Sequence, residues 1–313
     1  MMRYFARRVL HSAVVLFLIS VASFVLLEIA PGTYVDEIRL NPQLSTDTVA
    51  LLKSRYGLDQ SLPVRYLRWL RSAARGEFGF SFSYGMPVGR VILPRARNTL
   101  VLTLAATVCA WSAALLLGIT TTVYTGTWVE SAIRAPIAFL QSVPEVLIAL
   151  LFLMATVRMH WMTGNGTLGG SAIFSATRLM LPALALTLVL LPVLARHAQA
   201  SITEALTAAH VQAARALGIA PRRFWALYVL RSAANPLISL FGLSIGNLLS
   251  ASLLVEIVMS WPGVGPLLLE AIFSRDVYIV IDATLLAASF LIAGNLIADA
   301  LLWLADPRVR LER

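Results

Sequence analysis

Apolar residues run through this chain in long blocks, separated by shorter segments that carry most of its arginines. Six blocks approach or exceed the ~20 residues a helix needs to cross a bilayer. They are Val9–Ile29, Thr99–Tyr124, Ile133–Val157, Leu179–Ala195, Pro236–Met259 and Ile279–Leu304. The pattern predicts an all-α polytopic membrane protein with six transmembrane helices. The fourth block is the shortest and contains Pro182 and Pro192. A bent helix, or one thinly covered by lipid, is expected there. The first block is longer than the apolar stretch of a signal peptide and is followed by no small-residue cleavage site, which predicts a retained first span.

Positive flanks set the expected orientation. With the N-terminus in the cytoplasm, Arg3, Arg7, Arg8, Arg134, Arg196, Arg215, Arg222, Arg223, Arg231, Arg308, Arg310 and Arg313 face inward. The short outer loops keep only Arg158, Arg178 and Arg275. Six spans then return the C-terminus to the cytoplasm. The chain divides into a flank with the first span (1–30), an external segment (31–98) and a core of five spans (99–313). The core includes a cytoplasmic segment at about 197–235. The external segment holds TVALLKSRYGL and LPVRYLRWLRSAARGEFGFSF. In the second, Tyr66, Leu67, Trp69 and Leu70 make an apolar face with Arg65, Arg68 and Arg71 around it. A small helical subdomain is expected on the outer surface, as an ordinary interfacial fold or as a platform for an external partner. The cytoplasmic segment, HVQAARALGIAPRR at its centre, has a helical pattern and is too long for a mere connection.

Composition agrees with the pattern. Apolar residues make up 58% of the chain and charged ones 13%, against about 25% charged in soluble domains. Mean hydropathy is +0.79. The net charge of +9 is explained by membrane orientation rather than by nucleic acid. Cys109 is the only cysteine, which excludes an intrachain disulfide and a thiolate metal cluster. The single lysine, Lys53, stands outside any G-x-x-x-x-G-K-[ST] loop, so that route to ATP is closed. His11, His160, His197 and His210 are scattered, no G-x-S-x-G is present, and GNGTLGG at 164–170 lacks a strand–turn–helix setting. No catalytic residue and no metal site is expected.

Carboxylates inside membrane spans are costly and mark a pathway or a pairing. Glu145, just after Pro144, is expected near the middle of the third span and facing a path. Glu256 and Asp299 fall near the ends of the fifth and sixth spans, where a structural pairing and a transport role are both open. Glu28 and Asp282 are expected at the interface.

QAARALG, Gln212–Gly218, resembles the E-A-A-x-x-x-G core of permease subunits of bacterial ABC importers, with Gln212 where glutamate is typical. The later I-x-L-P portion is reduced to YVLR at Tyr228–Arg231. LLVEIVMSWPGVGPLLLEAIFSRD, Leu253–Asp276, resembles the fifth-span and outer-loop signature of the dipeptide/oligopeptide permeases. NLIADALLWLADPRVR, Asn295–Arg310, is similar to their last span and D-P-R end. RYFARRVL, LEIAPGTYVD and YGLDQSLPVRYLRWLRSAARGEFGFSF resemble their N-terminal half. The resemblance covers nearly the whole chain and points to the first of two permeases, the one with a long external segment after span one. SVPEVL departs from it, since a small or apolar residue is expected where Glu145 stands.

The resemblance implies a type I ABC importer permease fold in the bacterial cytoplasmic membrane. It implies a second homologous permease, two ATPase subunits that carry ATP and Mg, and an external substrate-binding protein. This chain would bind no cofactor and hydrolyse nothing. It would dock on an ATPase through Val211, Gln212, Ala213, Ala214, Arg215, Leu217, Gly218, Arg222 and Arg223. Val211, Ala214 and Leu217 recur at helical spacing as an apolar face, Gly218 permits a break between short helices, and the arginines can meet carboxylates. Gln141, Glu145, Asn247, Ser250 and Ser252 could line the path or simply bond between helices. Trp261, Pro262 and Gly263 would form an outer gate or an interfacial anchor. Family solutes are di- and oligopeptides, nickel chelates and glutathione. Two other readings stay open from the residues: an ion-coupled secondary carrier using Glu145, and a membrane scaffold without transport.

Overall fold

The computed structural model describes residues 2–29, 60–158 and 176–305. TVALLKSRYGL with Lys53, the glycine-rich loop 164–170, His160 and the D-P-R end lie outside these residues. In chain order the elements are α1 (Met2–Ile29), α2 (Leu62–Ala73), β1 (Phe80–Ser81), β2 (Met86–Pro87), α3 (Val88–Val123), α4 (Trp128–Ser142) and α5 (Glu145–Arg158). They continue with α6 (Ala176–Thr207), α7 (Ala209–Ala216), α8 (Pro221–Arg223), a π-helical segment (Phe224–Val229), α9 (Leu230–Val258), α10 (Val264–Phe273) and α11 (Val277–Ala305). Among the described residues five helices are long and apolar enough to cross a membrane, and α4 with α5 is a bent apolar pair with the form of a broken span or a re-entrant loop.

The break corrects the expected third span. Instead of one helix over Ile133–Val157, α4 and α5 meet at 102°. Pro144 explains the corner. Its ring disfavours a helical conformation at the preceding residue, and Val143 is extended at φ −88, ψ 125. The Pro144 carbonyl then accepts from Leu147 N and Ile148 N at 3.0 and 3.2 Å, opening a new helix. Glu145 therefore sits in the first turn of α5, not mid-span. A carboxylate there is favoured by the partial positive charge of a helix N-terminus.

Two further boundaries differ from the sequence pattern. α3 begins at Val88 rather than near Thr99 and has 36 residues, ~54 Å at 1.5 Å per residue, so it extends beyond one bilayer thickness. The cytoplasmic segment at 197–235, expected to have a helical pattern, is helical almost throughout, and the flanking spans run into it. α6 runs on to Thr207, and α7, α8, the π segment and α9 occupy most of the rest. α6 passes through both prolines, and 61% of its apolar window is buried by the chain itself, the largest share among the five spans.

The chain forms two compact units. One comprises the described parts of Met1–Thr99 together with Pro262–Phe290. Here α2 lays Tyr66, Trp69 and Leu70 on Phe24 and Ile281. Phe24 stacks edge-on to Tyr66 at 5.2 Å and lies 5.1 Å from Trp69. Leu67, expected on this face, points away and is 53% exposed. Tyr66 Oη meets Ser20 Oγ at 2.9 Å, and Arg65 pairs with Glu28 at 3.0 Å. The two-stranded antiparallel hairpin sets Phe80 opposite Pro87 and Ser81 opposite Met86. Its tip uses Gly85 at φ +63, a region that glycine enters without steric cost.

The second unit comprises Leu100–Trp261 and the described part of Leu291–Arg313. Its core collects Ala106, Ala110 and Ala114 of α3 with Leu186, Leu190 and Leu194 of α6 and Leu248 and Val255 of α9. In lipid, helices associate by close packing rather than by the hydrophobic effect, and small residues allow it. Gly118 of α3 shows this: a Cβ there would stand 3.0 Å from Ala198 Cβ of α6. α9 and α11 approach equally closely, and a Cβ on Gly242 would lie 2.8 Å from Ala298 Cβ.

Candidate functional site

The clearest candidate is the helical pair after α6. Ala208, with ψ 135, ends α6 and starts α7, its carbonyl accepting from Val211 N and Gln212 N at 3.0 Å each. Alanines dominate α7 and suit a helix. It stops where Gly218 adopts φ +67, the left-handed conformation that favours glycine after a helix. Pro221 opens α8, its fixed φ and missing N–H both suited to a first helical position.

Packing divides the named residues into two sets. Val211 and Ala214 are 0% and 3% exposed, and Val211 joins Ala198, Ile202, Val229, Ala233 and Leu237 in a local core. Leu217 is 80% exposed. The expected single face of Val211, Ala214 and Leu217 is therefore corrected: α7 ends at Ala216, so Leu217 has left the helix, and the first two seat it on its own unit. Gln212, Ala213, Arg215, Gly218, Arg222 and Arg223 are all exposed. No Asp or Glu occurs between residues 208 and 231, so the exposed edge carries unopposed positive charge along the sequence. A hollow of about 380 Å3 lies beside it, lined by Leu206, Val211, Gln212, Arg215, Ala216 and Phe224.

The path candidates separate likewise. Asn247 and Ser250 are exposed and one turn apart on α9, in a stripe with Leu243 and Leu254. Ser252 is fully buried and donates to the Leu249 carbonyl at 2.9 Å, so it bonds within its own helix. Gln141 accepts from the Arg196 guanidinium. These two line a pocket of about 200 Å3 with Arg134 and Gln199, a cationic group that span-by-span reading of the sequence does not bring together. Arg134 is shared with Glu130 at 3.0 Å. Glu145, half-buried, is not among this pocket's lining.

Of the gate candidates, Trp261 is only 5% exposed and belongs to the core of the second unit, which removes the interfacial-anchor reading for its ring. Pro262 is exposed, and its carbonyl accepts from Asn98 Nδ2 at 2.7 Å. Gly263 is buried and precedes α10, whose first amide, Val264 N, donates to Thr99 Oγ1 at 2.9 Å.

One polar cluster escaped the sequence. Asp276, fully buried, accepts from Ser81 Oγ at 2.6 Å and from Ser83 N at 3.1 Å. Its own carbonyl begins α11 by accepting from Val280 N at 3.1 Å. Beside it the Tyr84 hydroxyl donates to Glu270 at 2.5 Å. The legible signal was an aspartate just before an apolar helix, the usual N-cap arrangement.

A family model described as "Binding-protein-dependent transport system inner membrane component" matches residues 114–311, and the N-terminal model of such membrane components matches residues 1–103. The oligopeptide transport system permease protein AppB of Bacillus subtilis is 30% identical, with 99% of each chain covered. The di/tripeptide transport system permease protein DppB of Pseudomonas aeruginosa is 30% identical over the whole of both. The glutathione transport system permease protein GsiC of Escherichia coli is 31% identical, with 99% of each covered. Among solved structures, an inward-facing MetNI methionine ABC transporter chain aligns with a TM-score of 0.53 and 17% identity, covering 67% of this chain and 96% of that one. That likeness concerns the fold.

Proposed function

This chain belongs to the inner membrane components of binding-protein-dependent transport systems, and we propose that it forms, with a second related permease, the path by which a cell takes in di- or oligopeptides. It is a multi-pass inner membrane permease subunit, a kind of subunit distinct from the ATPases that drive such importers. ATP and Mg act on two partner ATPases, and an external binding protein delivers the solute. Relatives of similar identity are named for oligopeptides, di/tripeptides and glutathione. These solutes share peptide bonds and carboxylate termini, so the choice among them rests with the binding protein and with small differences in the path. Driven by ATP on partners, such a chain has no need of an ion-coupled Glu145.

The observation that carries the mechanism is the way α7 is held. Val211 is locked into a core shared with α6 and α9 and Ala214 is buried, while Gln212, Arg215, Arg222 and Arg223 stay exposed. A partner carboxylate can hold these arginines. Because packed interiors are nearly incompressible, a push on the exposed edge is passed to α6 and α9. Those helices also carry Arg196 and the Asn247–Ser250 stripe, which we assign to the path with Gln141. We assign the arginine-rich edge to the cytoplasm by the positive-inside rule, and with six spans both termini as well.

The test uses the assembled importer with Arg215→Glu. The expected result is loss of ATPase subunits on purification, or loss of their stimulation by loaded binding protein. Retention of both would sink the coupling role of α7 and leave it a surface helix.

A further inference from the structure

The unit built from the N-terminal third and residues 262–290 holds an elongated groove of about 480 Å3 among α1, α2, the first turns of α3 and the first half of α11. Its walls are almost entirely apolar. Four polar side chains reach it: Ser20, Trp69, Asp282 and Ser289. Two are already engaged. Ser20 Oγ bonds the Phe17 carbonyl and the Tyr66 hydroxyl, and Ser289 Oγ bonds the Leu285 carbonyl. The other two are not. Asp282 is 5% exposed and neither carboxylate oxygen closes a hydrogen bond; the indole N–H of Trp69, in a residue 6% exposed, faces this carboxylate as a neutral donor without closing a hydrogen bond to it.

A buried carboxylate without a cationic partner is among the most unfavourable groups a protein can carry. The groove therefore calls for an N–H cation at the Asp282–Trp69 end and a long apolar body along the rest. Their order along the helices matters. Asp282 lies ~8 Å from the start of α11 and Ser289 ~10 Å deeper, at 1.5 Å per residue. The polar end is thus near the helix terminus, where the arginine-bearing α2 packs, and the apolar end runs inward. A phospholipid has this profile, with its headgroup at the interface and its chain toward the bilayer centre.

We propose that this groove is a binding site for a phospholipid with a primary-amine headgroup, of the phosphatidylethanolamine type. Its ammonium donates to Asp282 beside the Trp69 indole, and an acyl chain lies along Phe17, Ile92 and Leu286. A phosphatidylcholine headgroup has no N–H to give, and phosphatidylglycerol brings neutral hydroxyls but no cation to offset the carboxylate. Both are disfavoured by the chemistry of the polar end, although their chains fit the walls equally well.

The intact importer, in mild detergent, is equilibrated with vesicles holding equal amounts of phosphatidylethanolamine, phosphatidylcholine and phosphatidylglycerol. Retained lipid is then counted by native mass spectrometry. The expected result is one phosphatidylethanolamine retained, with roughly tenfold preference or more, the scale of a hydrogen bond to a charged group. Asp282→Asn should erase the preference, and Leu286→Trp, which fills the groove but spares the carboxylate, should expel all three lipids. Retention in bulk proportion by the unaltered complex, or an unchanged preference in Asp282→Asn, overturns the site. If Asp282→Asn does not assemble, successive N-methylation of the ethanolamine decides on the unaltered complex. Retention must fall when the last N–H is removed, and a flat series overturns the proposal. Soluble phosphoethanolamine should not displace the lipid. Displacement at equal concentration would mean that the site serves a soluble amine.

Discussion

The hydroxyl of Ser81 donates to the carboxylate of Asp276 at 2.6 Å, across 195 residues of chain. This bond pins the Phe80–Pro87 hairpin to the start of α11. Asp276 answers three needs at once: it satisfies Ser81, satisfies the Ser83 amide, and stands at the positive end of a helix.

Ser81→Ala should lower stability by about 1.5–3 kcal/mol, the range for a hydrogen bond to a buried charge. The check is a lower apparent melting temperature of the purified chain, together with faster amide exchange confined to residues 80–87. Fast exchange spread over α2 as well would mean that the bond supports more than the hairpin.

Tyr84 gives this corner a pH signature. Burial first, and then the hydrogen bond to Glu270, push its phenol from 10.0 up to about 12. The folded value lies above the unfolded one, so the contribution of Tyr84 to stability is complete below pH 10 and is lost as pH rises through about 12. An ultraviolet absorbance titration should find one tyrosine ionising near the upper value. Glu270→Gln should bring that midpoint back toward the lower one.

Between α9 and α11 the fit is set by absent atoms. A Cβ on Gly294 would fall within the side chain of Ile245. Gly294→Val should therefore destabilise by about 1–3 kcal/mol through overpacking. Adding Ile245→Ala should recover part of that loss, since residues in contact are not additive. Simple additivity in melting temperatures would show that the two helices do not meet at these residues.

Val211 and Leu217 should respond in opposite ways. Val211→Ala, at a fully buried position, is expected to cost about 1–3 kcal/mol. Leu217→Ala, at an exposed one, should change stability by no more than ~0.5 kcal/mol, yet reduce the amount of ATPase that co-purifies. Thermal unfolding and quantitative pull-down separate the two effects.

The sequence reading succeeded where one dimension suffices. The places of the apolar spans and the amphipathic stretch around Trp69 follow from counting apolar residues, and the motif QAARALG led directly to α7. It failed where direction matters. Hydropathy is the same for a straight span and for one turned at Pro144, although the Val143–Pro144 pair carried the physical signal for a corner. It also read Val211, Ala214 and Leu217 as one face by spacing, without the helix end at Ala216 that sends Leu217 elsewhere. Asp276 looked like part of a family signature, and only the fold reveals Ser81 beside it. Asn247 and Ser250 could be paired from helical period alone, whereas Arg134 and Arg196 could not be joined without knowing how α4 and α6 pack.

The π-helical segment between α8 and α9 gives the chain a length tolerance at one place. Pro221–Val258 is a single helical run of 38 residues, and the segment Phe224–Val229 within it is wound with i→i+5 bonds rather than i→i+4. A wider turn accommodates a residue that an α-helix would not. Deleting one residue from this segment should let it rewind as ordinary α-helix while Val229 and Ala233 keep their places. A deletion further along α9 has no such slack and would rotate everything beyond it by about 100°, carrying Asn247 and Ser250 off their shared stripe. In an evolutionary record of insertions and deletions, this seam is where the helix can change length and still keep its phase.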